Sequence, residues 1–261
     1  MKIVAICNQK GGVGKTSTSV SLAAFLGILG RKTLLVDLDP QGNSTSGLGI
    51  EKNSVAKSTY NVLIEQDSAK DAVIPTQIEN LSVLPSNINL TGAEIELVSI
   101  MGRESRLKKS LSEIKDQFEF AIIDCPPSLG MLTVNAMTAA NSVIVPVQCE
   151  YYALEGIGQL VKTIDLVRDN LNSQLHIEGI LMTMADYRTK LTDQVIEEVK
   201  KFFGERVYST IIPRSVKMSE APGFGKPIML YDRNSFVSKK YEQFAQEFLD
   251  KNSVSHSKQT T

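Results

Sequence analysis

The sequence is poor in the residues that build disulfide frameworks and metal sites. It has three cysteines, two histidines and no tryptophan among 261 residues. Cys7, Cys125 and Cys149 show no C-x-x-C spacing and are odd in number, which argues against disulfides and a zinc site. No apolar run approaches the roughly 20 residues that a membrane-spanning helix needs, and no secretory signal pattern opens the chain. We therefore expect a soluble protein of a reducing cytoplasm.

The sequence also lacks an overall excess of charge. The formal net charge is −1 with a pI of about 6.2, so the whole chain does not have the charge of a basic nucleic-acid binder. The distribution is uneven, however, because Lys and Arg outnumber Asp and Glu by 11 to 7 in residues 184–240. A local basic face on a nearly neutral molecule is therefore expected.

Short apolar runs alternate with segments of helical periodicity along the chain. Strands are predicted at 2–7, 33–39, 81–85, 118–124, 142–147, 177–184 and 208–213. Helices are predicted at 16–30, 93–100, 104–114, 130–140, 155–171, 191–203 and 235–249. Strands that are apolar throughout and alternate with helices predict an α/β fold with a doubly wound, mostly parallel sheet and helices on both faces. One domain is expected over 1–250, followed by a polar, disordered tail at 251–261.

The stretch NQKGGVGKTS at residues 8–17 joins the first predicted strand to the first predicted helix. A glycine-rich turn at this position directs backbone N–H groups and the positive end of the helix dipole toward a phosphate. Lys15 would neutralise the β- and γ-phosphates, and the hydroxyl of Thr16 would ligate Mg²⁺. The predicted ATP-binding residues here are Lys10, Gly11, Gly12, Val13, Gly14, Lys15, Thr16 and Ser17.

The loop departs from the usual phosphate-binding pattern, because Gln9 stands where the first glycine would fall and an extra lysine, Lys10, follows it. The form K-G-G-x-G-K-[ST] resembles the deviant Walker A loop of the ParA/MinD group of P-loop ATPases. The resemblance covers about residues 2–250 and is nearest to the chromosomal ParA/Soj type. It is carried also by QGNSTSGLGI (41–50), GAEIEL (92–97), IIDCPPSLG (122–130), PVQCEYYALEG (146–156) and IPRSVKMSEAPGFGKPI (212–228).

The resemblance implies roles for three carboxylates that end predicted strands. Asp124 would hold Mg²⁺ through water, next to the phosphate loop. Asp39 would orient or deprotonate the attacking water and belong with Thr16 and Asp124 to the magnesium site. Asp37 is left open between a strand-end cap and an outer contact to the metal. The predicted catalytic residues are Lys10, Lys15 and Asp39, with Lys10 reaching the nucleotide of a partner subunit.

The resemblance further implies a switch that uses ATP and Mg²⁺ as cofactors. The ATP-bound homodimer would bind double-stranded DNA without sequence preference, and a ParB-type centromere-binding protein would stimulate hydrolysis. Such a protein is cytoplasmic and nucleoid-associated, with no membrane partner, and its cargo is a chromosome or a plasmid. DNA contacts are expected from Arg188, Arg214 and Lys217, and adenine contacts from Thr183 and Pro213.

Three other classes of protein remain as alternatives. A MinD-like division-site ATPase would need a C-terminal amphipathic helix for the membrane surface, whereas residues 251–261 are polar. A nitrogenase-type iron protein would need two cysteines per subunit for a shared [4Fe–4S] cluster, for which Cys125 and Cys149 are candidates. An ATP-dependent amide or carboxylate ligase would need further catalytic groups for a second substrate.

Overall fold

The computed structural model describes residues 1–150 and 153–257, without the side chains of 153–155 and 254–257. The strands are β1 (Lys2–Ile6), β2 (Thr33–Asp37), β3 (Ile74–Pro75), β4 (Leu81–Leu84), β5 (Phe120–Asp124), β6 (Ser142–Gln148) and β7 (His176–Thr183). The α-helices are α1 (Lys15–Ile28), α2 (Asn43–Gly47), α3 (Ala69–Ala72), α4 (Leu90–Glu96), α5 (Arg106–Ser112), α6 (Met131–Ala139), α7 (Ala153–Asn170), α8 (Lys190–Phe203), α9 (Val216–Glu220), α10 (Ile228–Tyr231) and α11 (Phe236–Ser257).

The strands of the described residues form one seven-stranded sheet in the order β3-β4-β2-β5-β1-β6-β7. Neighbouring strands are parallel except β3 and β4, which are antiparallel. The predicted fold class, a doubly wound and mostly parallel sheet, is confirmed. Because β1 lies between β5 and β6, the loop that follows it opens at the carboxyl edge of the sheet centre. Ligands bind at this edge in open α/β sheets.

Helices cover both faces of the sheet, as continuous apolar strands require. On one face α1 and α11 pack through large side chains such as Phe25, Phe244 and Phe248, all of them 2% exposed or less. On the other face α6 and α7 contribute Leu132 and Leu160. Helix α1 is buried along most of its length. This packing fixes the position of its first turn, which follows the loop after β1.

The predicted strand at 208–213 is wrong. Beside β7 the described residues show two isolated bridges here, one from Val207, just before the segment, and one from Pro213 at its end. The Glu247 carboxylate accepts the backbone N–H groups of Ser209 at 2.7 Å and Thr210 at 2.9 Å. Pro213 has no N–H to donate. A regular ladder is therefore interrupted at both ends of the segment.

The last helix continues beyond its predicted end at 249 and includes residues 251–257, which were expected to belong to a disordered tail. The side-chain amide of Asn252 donates to the Glu178 carboxylate at 3.0 Å and to the Phe248 carbonyl at 2.7 Å. This contact anchors the added turn to β7. Residues 258–261 of the expected tail lie outside the described residues.

Candidate nucleotide-binding site

The loop between β1 and α1 has the geometry of a phosphate cradle. Gly12 and Gly14 adopt left-handed backbone conformations, with φ of +75° and +87°, and Gly14 directly precedes the first turn of α1. Other residues adopt these conformations only at a cost, and so the glycines are required by the turn. The loop therefore presents its N–H groups at a helix N-terminus, which is the arrangement that binds phosphate.

The Lys15 side chain lies inside this loop. It is 7% exposed, and its Nζ donates to the Lys10 carbonyl at 2.9 Å. Burial lowers the pKa of Lys15, while the nearby carboxylate of Asp124 acts in the opposite direction. A buried ammonium at the centre of the loop is suited to neutralise phosphate oxygens, as predicted from the sequence.

Asp124 ends β5 beside Ile6, the last residue of β1, and its side chain is fully buried. Its two oxygens accept hydrogen bonds from Ser19 at 3.0 Å and from Ser44 at 2.7 Å. Burial raises the pKa of Asp124 to about 6, against hydrogen bonds from Ser44, Thr16 and Ser19 that lower it. Sequence reasoning missed Ser19 and Ser44, although Ser19 lies one helical turn after Lys15 and so on the same face of α1.

Oxygen donors for Mg²⁺ meet at this point, since the Thr16 hydroxyl is close enough to Asp124 to lower the pKa of that carboxyl. No group of three or more His, Cys, Asp or Glu with metal-binding geometry occurs among the residues described. Mg²⁺ keeps several waters and usually takes one or two carboxylates together with substrate phosphates, so a few protein oxygens suffice to hold it. Thr16 and Asp124 therefore fit a magnesium ion that is bound with a nucleotide.

Asp37 lies next to Asp124 on the neighbouring strand and is also fully buried. One of its oxygens accepts from both the backbone N–H and the hydroxyl of Thr45, at 2.8 and 2.7 Å. The other accepts the N–H of Asp39 at 3.2 Å. Burial, and then the charge of Asp124, raise the pKa of Asp37 to about 7. Asp37 thus ties the loop after β2 to the sheet, a role that the sequence left open.

Asp39 lies two residues beyond the end of β2 and is 7% exposed. Its Oδ1 accepts the N–H of Gln41 at 2.9 Å, and its backbone carbonyl accepts from the Ser86 hydroxyl at 2.7 Å. The carboxylate is close enough to Lys15 to raise the pKa of that lysine, although burial outweighs it. The side chain is therefore fixed near the phosphate loop, where the sequence analysis expected it.

The Lys10 side chain makes an ion pair at the surface. Its Nζ lies 3.0 Å from the Glu150 carboxylate, and both side chains are nearly half exposed. Arg214 approaches the other oxygen of Glu150 at 3.9 Å. Glu150 thus brings together the extra lysine of the loop and a predicted DNA-binding arginine, a connection that sequence reasoning missed. An exposed pair of this kind contributes about 0–1 kcal/mol, so it can exchange partners readily.

The two predicted adenine contacts lie at the edge of the same site. The buried hydroxyl of Thr183 donates to the Val13 carbonyl at 2.9 Å, and so Thr183 braces the phosphate loop. Pro213 is buried and forms a parallel bridge with Ala185, just beyond β7. Thr183 thus lies against the loop and Pro213 beside the chain that follows β7, while their contact with adenine stays a prediction.

Each of the three predicted DNA-binding cations has a carboxylate partner. Arg188 is 86% exposed and holds Asp186 by two hydrogen bonds of 2.8 and 2.6 Å, which lower the pKa of Asp186 to about 2. Lys217 pairs with Asp232. Arg214 contributes to the low pKa of Asp186, so it lies in the same region as Arg188. The two arginines therefore lie close together, and Lys217 lies on α9, three residues after Arg214.

Two of the alternatives meet structural obstacles. Cys125 and Cys149 are 1% and 7% exposed, whereas a cluster shared between subunits needs thiols at the surface. The apolar side of α11, with Tyr241 and Phe244, is buried against the sheet and so does not face a membrane. None of the described helices combines the length and apolar character that crossing a membrane requires.

The chain matches the family described as AAA domain over residues 1–177. It is 57% identical over 246 residues to the sporulation initiation inhibitor protein Soj of Bacillus subtilis, with 94% of this chain and 97% of that protein covered. It is 47% identical over 248 residues to the chromosome-partitioning ATPase Soj of Treponema pallidum, with 95% and 97% covered.

A solved structure named cobyrinic acid a,c-diamide synthase from Mycobacterium smegmatis, with a bound ATP analogue and magnesium, superposes with a TM-score of 0.83. The identity is 39%, and 94% of this chain and 93% of that chain are covered. Its name describes diamide synthesis, which belongs with the ligase alternative. The greater identity to the two Soj proteins favours the partition class.

The sheet, the glycine-rich loop and the buried lysine and aspartates define a P-loop ATPase. More particularly, the chain belongs to the ParA/Soj family of chromosome-partitioning ATPases. The resemblance found in the sequence is thereby confirmed, together with the predicted class of enzyme.

Proposed function

We propose that this chain is a partition switch driven by ATP and Mg²⁺. Two ATP-bound copies close face to face, and the dimer binds double-stranded DNA without sequence preference. A ParB-type centromere-binding protein stimulates hydrolysis and releases the subunits, so that the protein cycles on and off the nucleoid. The exposed ion pair of the Lys10 side chain with Glu150 carries this proposal.

Within one subunit the residues divide the work on ATP. The loop N–H groups and Lys15 bind the phosphates, and Thr16 and Asp124 hold Mg²⁺, which offsets charge on the phosphate oxygens. Asp39 orients the attacking water. Phosphoryl transfer depends mainly on positioning and on stabilisation of charge, so a further cation near the γ-phosphate would assist it. The residues named here do not supply that cation.

The missing cation is the partner's Lys10 in this scheme. In the single subunit its ammonium pairs with Glu150, on the surface rather than in the cradle, while Lys15 alone occupies the loop. Because an exposed ion pair is weak, the lysine can leave Glu150 for a triphosphate of much higher charge. Hydrolysis then requires a dimer, which makes turnover slow before the partner protein acts.

DNA retention at increasing salt, measured with and without ATP, tests the proposal. We expect ATP-loaded protein to sediment as a dimer and to bind DNA of any sequence, with affinity that falls steeply as salt rises. The ParB-type partner should speed hydrolysis and release the DNA. A monomer with ATP, or DNA binding that is equal with ADP and ATP, would contradict the scheme.

Replacing Gly12 by valine should give an ATP-bound monomer. In one subunit, an added Cβ at Gly12 meets no atom within 4 Å, so steric conflict must come from a ligand or a partner. The left-handed φ of +75° adds strain of about 1–2 kcal/mol. ATP binding and sedimentation in the presence of ATP would measure the effect.

Gly30→Val is a matched control for that experiment. Gly30 has a φ of +79° and equally open surroundings, and it lies after α1 at the opposite end of the helix from the loop. It should lose a similar amount of stability and still dimerise. If Gly12→Val dimerises as well as the unaltered protein, the phosphate loop does not lie in the dimer interface.

Magnesium affinity should fall below pH 6. The raised pKa of Asp124, about 6, means that this carboxyl takes up a proton at mildly acidic pH, and a protonated ligand cannot hold the metal. Affinity should be constant well above pH 6 and decrease up to about tenfold per pH unit below it. Mg²⁺ titrations of the ATP-bound protein between pH 5 and 8 would show this.

Phosphates also titrate near pH 6, and Asp124→Asn corrects for them. This variant should bind Mg²⁺ more weakly at every pH. It should keep the dependence of Mg²⁺ affinity on pH that arises from the phosphates of ATP. Identical profiles for the two proteins would show that Asp124 does not titrate in this range.

A further inference from the structure

Two thiols lie in contact directly beneath the phosphate loop. Cys7 follows β1 and Cys125 follows β5, and these strands are paired with Ile6 beside Asp124. The two Sγ atoms are 3.1 Å apart, and both residues are 1% exposed. All three cysteines of the chain are free, and Cys149 is buried elsewhere at the end of β6.

The spacing of the two thiols suits a covalent bond. Neighbouring strands lie about 4.8 Å apart, which is within the Cα separations of about 4.4–6.8 Å found for disulfides. A disulfide has an S–S distance of about 2.05 Å, so closing it requires the sulfurs to approach by about 1 Å. We propose that Cys7 and Cys125 form an oxidation site, in which a peroxide closes a disulfide and disables nucleotide binding.

The reaction uses one hydrogen peroxide for each subunit. One thiol, as its thiolate, attacks a peroxide oxygen and becomes a sulfenic acid as the O–O bond breaks and one water leaves. The second thiol attacks that sulfur, forms the S–S bond and expels the second water. The two thiols lose two electrons and two protons, and the peroxide is reduced to two molecules of water.

Because the two thiols are buried, they should react slowly and only with small oxidants. Both sulfurs are shielded, so a bulky disulfide such as oxidised glutathione cannot form the mixed intermediate without opening the sheet edge. Burial also raises the pKa of Cys125, which keeps that thiol protonated. The pair therefore stays reduced under ordinary conditions and closes under sustained exposure to peroxide.

Closing the bond would move both sides of the nucleotide site. Cys7 precedes Asn8, whose side chain accepts the Lys10 N–H at 3.0 Å and donates to the Pro146 carbonyl at 2.7 Å. Cys125 follows Asp124, which holds Mg²⁺ in the proposed function. Because groups that hold the nucleotide follow both thiols, a displacement of about 1 Å should weaken ATP binding, and misplacement by that distance can also cost about 100-fold in rate. This consequence rests on the proposed function, whereas formation of the disulfide does not.

Counting thiols under denaturing conditions tests the chemistry without any activity measurement. After treatment with hydrogen peroxide, the protein should titrate one free thiol in place of three, and non-reducing peptide mapping should join the peptides of Cys7 and Cys125. Dithiothreitol should restore all three. Three remaining thiols, or a Cys149 that reacts first, would overturn the proposal.

Variants separate the disulfide from general oxidation damage. Cys149→Ser should still close the bond and lose ATP binding with peroxide, in a manner that dithiothreitol reverses. Cys7→Ala and Cys125→Ala, which keep a small apolar side chain, should bind ATP equally well before and after peroxide. A closed disulfide with unchanged ATP affinity would overturn the inhibitory role. Failure of the reduced, unaltered protein to bind ATP would instead contradict the proposed function.

Discussion

Asp39→Ala is expected to abolish most ATP turnover while the protein still binds ATP and forms the dimer. The Asp39 carboxylate accepts the N–H of Gln41, whereas the bonds of Asp39 to Ser86 and Asp37 are made by its backbone, which alanine keeps. Its loss should therefore leave the cradle intact. Removing a group that orients or deprotonates a reacting water typically costs about 10²- to 10⁴-fold in rate.

The measurement combines single-turnover hydrolysis with ATP binding and sedimentation. Asp39→Asn should behave like the alanine variant, because the amide keeps the shape and loses the charge. Asp116→Ala, which removes an exposed carboxylate after α5, is a control that should hydrolyse ATP normally. Loss of ATP binding in Asp39→Ala would assign this residue to binding rather than to the water.

The elements around the nucleotide were predictable because local sequence determines them. Continuous apolar runs made β1, β2 and β5 recognisable, and the glycines of the loop need backbone conformations that favour glycine. The buried lysine and Asp124 follow from their places at the ends of those elements. Their positions at the carboxyl edge of a parallel sheet could therefore be predicted from the fold class, without knowledge of tertiary contacts.

The errors and omissions depend on contacts between distant parts of the chain. Residues 208–213 look like a strand, but Glu247, from the last helix, takes the backbone N–H groups that the sheet would use. Helix α11 continues because Asn252 bonds to Glu178, which is 74 residues away. The roles of Asp37 and Glu150 likewise depend on Thr45 and Lys10, partners that local patterns do not reveal.

DNA binding by Arg188 should be limited by its own neighbour. The Arg188 side chain is 86% exposed, yet its Nε and Nη2 donate to the two carboxylate oxygens of Asp186, at 2.8 and 2.6 Å. A DNA phosphate must therefore compete with a carboxylate for the same planar group. The two members of the pair should therefore have opposite effects on DNA binding. Neutralising Asp186 frees the Arg188 guanidinium for a phosphate, whereas removing Arg188 leaves the negative charge of Asp186.

Arg188→Glu should abolish retention of the ATP-loaded dimer on DNA, and Asp186→Asn should strengthen it. Arg188→Ala should lower the slope of log affinity against log salt by about 1.8, since each dimer loses two phosphate contacts and each contributes about 0.9. Arg168→Glu is the matched control, because Arg168 on α7 is also exposed and paired, with Asp165 and Asp169. It should bind DNA normally. Basal ATP hydrolysis without DNA should be unchanged in all four variants, and a salt slope unaffected by Arg188→Ala would place this arginine outside the DNA interface.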